Sequence, residues 1–269
     1  MESVNNIGSG EWIRPPKVRV SADFPTGAPV APARVDPSAD REKAGSIQSV
    51  WGPPLPWWKR SLDIVCICLA APVILPVMVI ISAVIKLISP GPALFRQVRI
   101  GYRGQRFTCF KFRTMVVNAD TGVHKGHLDN LIGSNVPMKK LDTSDSRLIP
   151  CGLVLRSLGL DELPQIFNVL RGEMSLVGPR PALPYEYEAY TPRHRQRCEA
   201  APGLTGLWQV SGKNRTTFEE MIDLDVRYAR TKSALLDLKI IFKTVPALMN
   251  QARETSREAK SDMQRVGME

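Results

Sequence analysis

Histidine is scarce: the 269 residues hold three, His124, His127 and His194, and no pair of them has metal-ligand spacing. The five cysteines, at 66, 68, 109, 151 and 198, are odd in number, and two lie inside an apolar run. That pattern gives neither a zinc site nor a disulfide framework, and small buried thiols in a reducing compartment are the expected state. There is no Gly-rich Walker loop and no dinucleotide fingerprint. The N-terminus, with Glu2, Asn5, Asn6 and Glu11, lacks the charged start and apolar segment of a secretory signal. Residues 1–56 also lack helical or strand periodicity and carry nine of the 22 prolines, so they read as a disordered Pro-rich tail.

What is present is positive charge and apolar mass. Lys and Arg number 36 against 26 Asp and Glu, for a net charge of +10, and 43% of the residues are apolar, enough for one sizeable core. Six basic and six acidic side chains balance within residues 1–58, so the excess belongs to residues 59–269. Such a body suits a polyanionic partner: nucleic acid, an anionic membrane surface or a phosphorylated substrate.

After Trp57, Trp58, Lys59, Arg60 and Asp63, the chain runs from Ile64 to Ile85 without a charge. As a helix those residues measure roughly 33 Å, enough for a hydrocarbon core of about 30 Å. Pro72 and Pro76 favour a bend inside it. Basic residues stand on both flanks: Lys59 and Arg60 before it, and Lys86, Arg96, Arg99, Arg103 and Arg106 after it. A single crossing cannot put both flanks on the cytoplasmic side, as the positive-inside rule asks, whereas a helix that bends and returns can. At this level a re-entrant helix and a kinked spanning helix both remain open.

Beyond it, Ser89-Pro90-Gly91-Pro92 breaks the helix and Ala93 to Met115 suits a hairpin, with 118–150 as a long loop. Helical patterns follow over 161–170, 184–197, 217–228 and, amphipathically, 235–249, and 251–269 reads as a charged tail. The densest reactive stretch joins Arg156, Asp161 and Glu162, followed by Arg180 between two prolines. Asp161 can be read as an ordinary helix N-cap, with Pro164 in the first turn. It can also be read as the acid of a phosphoryl-transfer site, with Arg156, Arg180, Lys111 and Arg113 holding phosphate oxygens. Few aromatics interleave with the basic residues, which argues against nucleic acid; a membrane-tethered, non-catalytic basic module is the alternative.

The strings KRSLDI at 59–64, SPGPALFRQVRIGYRGQRFTCFKFRTM at 89–115, LRSLGLDELPQIFNVLRGEMSLVGPRP at 155–181 and PGLTGLWQVSGKN at 202–214, in this order and spacing, resemble the bacterial sugar transferases, the monotopic polyprenyl-phosphate phosphoglycosyl transferases. The resemblance runs from Lys59 to about Leu248 and implies an enzyme that moves a sugar 1-phosphate from a UDP-sugar to undecaprenyl (polyprenyl) phosphate, releasing UMP. It implies Asp161 as nucleophile through an aspartyl phosphosugar, Glu162 as its partner, Mg2+ as cofactor at these two acids, and Gln209 to Lys213 near the nucleotide. Lys213 stands where Arg is more usual, a point charge in place of a fork.

The family's re-entrant helix breaks at a Ser-Pro pair, and Ala71-Pro72 keeps the proline without the hydroxyl. The insertion at 118–150 is similar to that of exopolysaccharide-initiating members, which handle hexose 1-phosphates. The expected fold is therefore α+β and mainly helical: a disordered tail over 1–56, a re-entrant membrane helix over 57–88, a catalytic domain over 89–250 with interfacial amphipathic helices and a small β-hairpin, and the tail over 251–269. The expected location is the inner membrane among its lipids, with both termini and the catalytic domain on the cytoplasmic face; whether the enzyme is a homodimer stays open.

Overall fold

The computed structural model describes residues 55–266 except 118, 120–136, 138–144, 146 and 214. The tail over 1–54 and most of the 118–150 loop thus lie outside the described residues.

Helix α1, Trp57–Ile88, takes in the whole uncharged run and both prolines, and it starts seven residues before that run, where Lys59 and Asp63 are buried. Lys59, Asp63, Ile67, Met78, Ile81 and Ile85 are its buried residues. At roughly 100° per residue they fall within one sector about 100° wide, so a single stripe faces the protein from end to end. Ile74 and Val77 are half-buried along the same stripe, whereas Leu69, Val73, Leu75, Val79 and Leu87 are exposed. By length and composition α1 could cross a membrane.

Strands β1, Leu94–Ile100, and β2, Arg106–Phe112, form the expected antiparallel hairpin, with Leu94 opposite Phe112 and Ile100 opposite Arg106. A one-turn 3-10 helix, Tyr102–Gly104, closes it. Strand alternation sends Phe112 into a core with Met78, Ile81, Ile85, Ile149 and Leu155, under the second half of α1. Ile67 of the first half packs with Ile166, Val169 and Met174.

The run from 152 to 210 is made of short pieces. Helix α2, Gly152–Ser157, is followed by a 3-10 helix, Leu160–Gln165, and by α3, Ile166–Leu170. Where the sequence pattern suggested one helix over 161–170 there are two, and Asp161 is not the cap: Gly159 precedes the 3-10 turn in the left-handed region, φ 69°. The expected helix over 184–197 likewise divides into α4, Pro184–Glu188, α5, Pro192–Arg195, and a 3-10 turn, Gln196–Glu199, because Pro192 cannot continue α4. Strands β3, Ser175–Val177, and β4, Gly203–Thr205, pair in parallel. A Cβ on Gly178 would come within 2.1 Å of the Ala201 carbonyl oxygen, so only glycine lets the two segments cross here.

Helix α6, Leu207–Val210, leads to α7, Phe218–Thr231, which begins with a capping box between Thr217 and Glu220. Helix α8, Ala234–Val266, continues 17 residues past the end of the amphipathic pattern, so the stretch read as a charged tail is largely helical. A buried polar knot ties the two long helices together. Lys59 Nζ donates to Asp237 Oδ2 at 2.5 Å and to the Tyr228 hydroxyl at 2.8 Å, and Tyr228 lies 2.7 Å from Asp237 Oδ1. One turn on, Asp63 Oδ1 accepts from Ser175 Oγ and the Leu176 N–H, both at 3.0 Å. Of the five thiols only Cys109 is fully buried, and Cys68 is exposed on α1.

Candidate active site

The Asp-Glu dyad owes its position to the turn before it. Gly159 reverses the chain after α2, and a Cβ there would stand 3.1 Å from the Leu248 methyl of α8, so glycine supplies both the left-handed bend and the room for α8 to approach. Asp161 and Glu162 then fall in the first turn of the 3-10 helix, and Pro164 follows inside it. Strand β2 approaches from the other side, where Lys111 Nζ donates to Glu162 Oε1 at 2.9 Å. Asn168 of α3 holds β2 in register: its Oδ1 accepts the Phe110 N–H at 3.1 Å and its Nδ2 donates to the Thr108 carbonyl at 2.7 Å.

Asp161 and Glu162 line a cavity of about 900 Å³. Arg156, Gln209 and Lys213 line it too, as do Ala70 and Ile74 of α1, on either side of Pro72. Much of the remaining wall is α8, from Ile241 to Arg257. Gln251 of α8 links two of the cations: Lys213 Nζ donates to its Oε1 at 3.1 Å, and its Nε2 donates to the Arg156 carbonyl at 3.3 Å. The Gln209 Oε1 atom is buried without a hydrogen-bond partner among the described residues.

Of the residues singled out by the sequence, Arg156, Asp161, Glu162, Gln209 and Lys213 thus come together, and Lys111 joins them through Glu162. Arg180 does not line the cavity. Its guanidinium meets Glu186 at 3.5 Å, and its carbonyl accepts from Arg197 at 3.0 Å. Arg113 stands apart from the group: it is buried and donates to the Pro90 and Ser89 carbonyls at 2.6 and 2.8 Å, clasping the end of α1.

Sequence reasoning missed Arg99 except as a flanking charge. It is 5% exposed, donates to the Pro181 carbonyl at 3.0 Å and turns its Nε and Nη2 onto Gln97 Oε1 at 3.1 and 2.7 Å. Burial, and then the like charge of Arg180, lower its basicity. Burial would raise the carboxyl of Glu186, but Arg180, Arg99 and the Leu183 N–H outweigh it and hold Glu186 below the usual carboxylate range. The buried Cys109 thiol is pushed up by burial, opposed by Lys111 and Arg99. Its strand position one residue past Thr108 gave no hint of that setting.

Among the described residues no group of three or more His, Cys, Asp or Glu side chains could enclose a metal. Two adjacent carboxylates beside an open cavity do suit Mg2+, which keeps several waters and takes one or two protein carboxylates together with substrate phosphates.

Paired acids, arginine and lysine around one large cavity, with an apolar helix contributing to its wall, mark the site of an enzyme. The chain belongs to the bacterial sugar transferase family, whose model matches residues 55–251. It is 40% identical over 192 residues to the exopolysaccharide production protein ExoY of Sinorhizobium fredii, covering 71% of this chain and 84% of that one. It is 41% identical over 199 residues to the UDP-glucose:undecaprenyl-phosphate glucose-1-phosphate transferase of Caulobacter vibrioides, covering 71% and 69%. To the undecaprenyl-phosphate galactose phosphotransferase of Salmonella typhimurium it is 34% identical over 200 residues, 72% of this chain and 40% of that longer protein.

Proposed function

We propose that the protein transfers a hexose 1-phosphate from a UDP-sugar to undecaprenyl phosphate, a step that initiates exopolysaccharide synthesis. The observation that carries this reading is the shared cavity: the dyad, Arg156, Gln209 and Lys213 line it together with Ala70 and Ile74 of the apolar helix. A soluble anionic donor and an acceptor with a long isoprenoid tail can meet only where cationic and apolar walls adjoin. The names of the relatives support the same class of reaction.

In the first step a carboxylate oxygen of Asp161 attacks the β-phosphorus. The bond from that phosphorus to the bridging oxygen breaks, and UMP leaves with the electron pair. In the second step an oxygen of the lipid phosphate attacks the same phosphorus, and the bond to Asp161 breaks. Arg156 and Lys213 bind phosphate oxygens and offset the repulsion between anionic nucleophile and diphosphate. Lys111 holds the Glu162 carboxylate beside Asp161 through their 2.9 Å pair. Asp161 and Glu162 would hold Mg2+, which supplies further neutralisation of the diphosphate charge.

The stripe on α1 supports a re-entrant path. Lys59 near one end and Ile85 near the other are both buried against the same body, at 1% and 0% exposure. A helix bound along its length to a polar domain would keep both flanks on that domain's side of the bilayer, and the positive-inside rule applied to the basic flanks supports the cytoplasmic side. Its exposed apolar residues face lipid.

The test is UMP release by purified protein in nanodiscs. Asp161→Asn is expected to abolish it, and wild-type protein given radiolabelled UDP-sugar without acceptor is expected to retain labelled sugar phosphate. Undiminished turnover by Asp161→Asn would exclude Asp161 as nucleophile.

A further inference from the structure

The family match ends at residue 251, but α8 does not: it continues to Val266. Arg253, Glu254 and Arg257 of this extension line the same cavity as Asp161 and Glu162. The exposed side of α8 changes character along its length. Leu235, Leu238, Phe242, Val245 and Met249 are exposed and apolar, with Lys239 and Lys243 exposed among them, and past Met249 the apolar series stops while Arg253 and Arg257 are exposed and cationic. The change falls just beyond Leu248, the residue against which Gly159 sets the dyad turn.

Glu254, the acid between the two arginines, is engaged at 2.8 Å by Arg215, as Gln251 is by Lys213. These two bonds tie Lys213 and Arg215 to α8. With Glu254 so balanced, the stretch presents Arg253 and Arg257 as net positive charge. They stand four residues apart, on one side of the helix, with side chains about 6 Å apart at their bases. Two guanidinium forks at that spacing suit two linked phosphates.

We infer that the α8 extension is the wall that receives the diphosphate of the nucleotide donor, with Arg253 and Arg257 contacting its phosphate oxygens. This rests on the reading of the cavity as a nucleotide-sugar transferase site. The shared chemistry is phosphate recognition, and the lipid acceptor also carries a phosphate. The two arginines lie past the exposed apolar series of α8, which ends at Met249, so a soluble and doubly charged donor suits them better than a lipid-borne phosphate.

The deciding variant is R253Q/R257Q. Glutamine keeps good helix propensity at exposed positions, so the unfolding temperature should match wild type. KM for UDP-sugar is expected to rise about tenfold or more, since two charged contacts to phosphate are lost, while KM for polyprenyl phosphate stays put. Direct titration with UDP, on an Asp161→Asn background that cannot turn over, should show the same loss. R253K/R257K should recover part of it. The single variants R253Q and R257Q repeat both measurements should the double variant unfold early.

Unchanged KM and UDP affinity would overturn the inference while leaving the catalytic reading intact. A rise confined to the KM for the lipid would overturn it in favour of an acceptor-phosphate site. UDP binding that depends on these arginines in a protein that releases no UMP would uphold it and sink the catalytic reading. A chain that neither binds UDP nor releases UMP would overturn both.

Discussion

The two long helices solve different problems with similar lengths, 32 residues in α1 and 33 in α8. Helix α1 is apolar nearly all round, yet two of its six buried residues are charged, Lys59 and Asp63. Helix α8 carries charge over much of its length but shows lipid-like side chains on the exposed side of its first half. In each helix the exposed surface says little about what the helix packs against. In α1, polar bonds near the N-terminus set the seating, and apolar area outside serves the surroundings. In α8, Asp237 and Ile240 do the seating, and the exposed apolar side chains are confined to the first half.

The most damaging way to break this comparison is Lys59→Met, which leaves Asp237 buried at 1% exposure without its cation. Removing one partner of a buried pair costs about 3–5 kcal/mol, so a lower midpoint of thermal unfolding in detergent is expected. Lys59→Met with Asp237→Leu should restore part of it, because the Asp237 charge is then gone while Asp63, which Lys59 also stabilises, stays buried. A smaller effect should follow from Phe242→Asn, which removes an exposed aromatic from the apolar half of α8. Partition onto anionic vesicles should weaken by roughly 1.5–3 kcal/mol with little change in unfolding. Least of all, Val73→Ala on the exposed side of α1 should shift unfolding in detergent by no more than about 0.5 kcal/mol, since that side chain packs against no core residue. An effect as large as that of Lys59→Met would mean that the outer side of α1 is itself packed.

Local signals carried the elements they could specify. An uncharged run of 22 residues between basic flanks marks α1, and the alternation around Phe110 and Phe112 marks the hairpin. Thr217 and Glu220 mark the start of α7. The dyad and its neighbours Arg156, Gln209 and Lys213 were visible as motifs, and the fold collects them at one cavity. What local signals could not carry is pairing across long stretches of chain. Lys59 meets Asp237 178 residues away, and Arg113 looks like a phosphate ligand until the fold gives it the carbonyls that end α1. Arg99 was lost for the same reason, since the bond that carries it across the fold goes to the Pro181 carbonyl. The helical pattern over 161–170 misled because Gly159 and Pro164 act together, one setting a left-handed turn and the other removing a donor.

The buried stripe of α1 makes the anchor a poor candidate for amputation. Cutting away residues 57–88 to obtain a water-soluble fragment would strip the cover from Phe112, Ile149 and Leu155 and orphan Asp237. Solubilisation should instead repaint the helix from outside. Polar replacements at Leu69, Val73, Leu75, Val79 and Leu87 would spare every inward contact and leave Ala70 and Ile74 to complete the cavity.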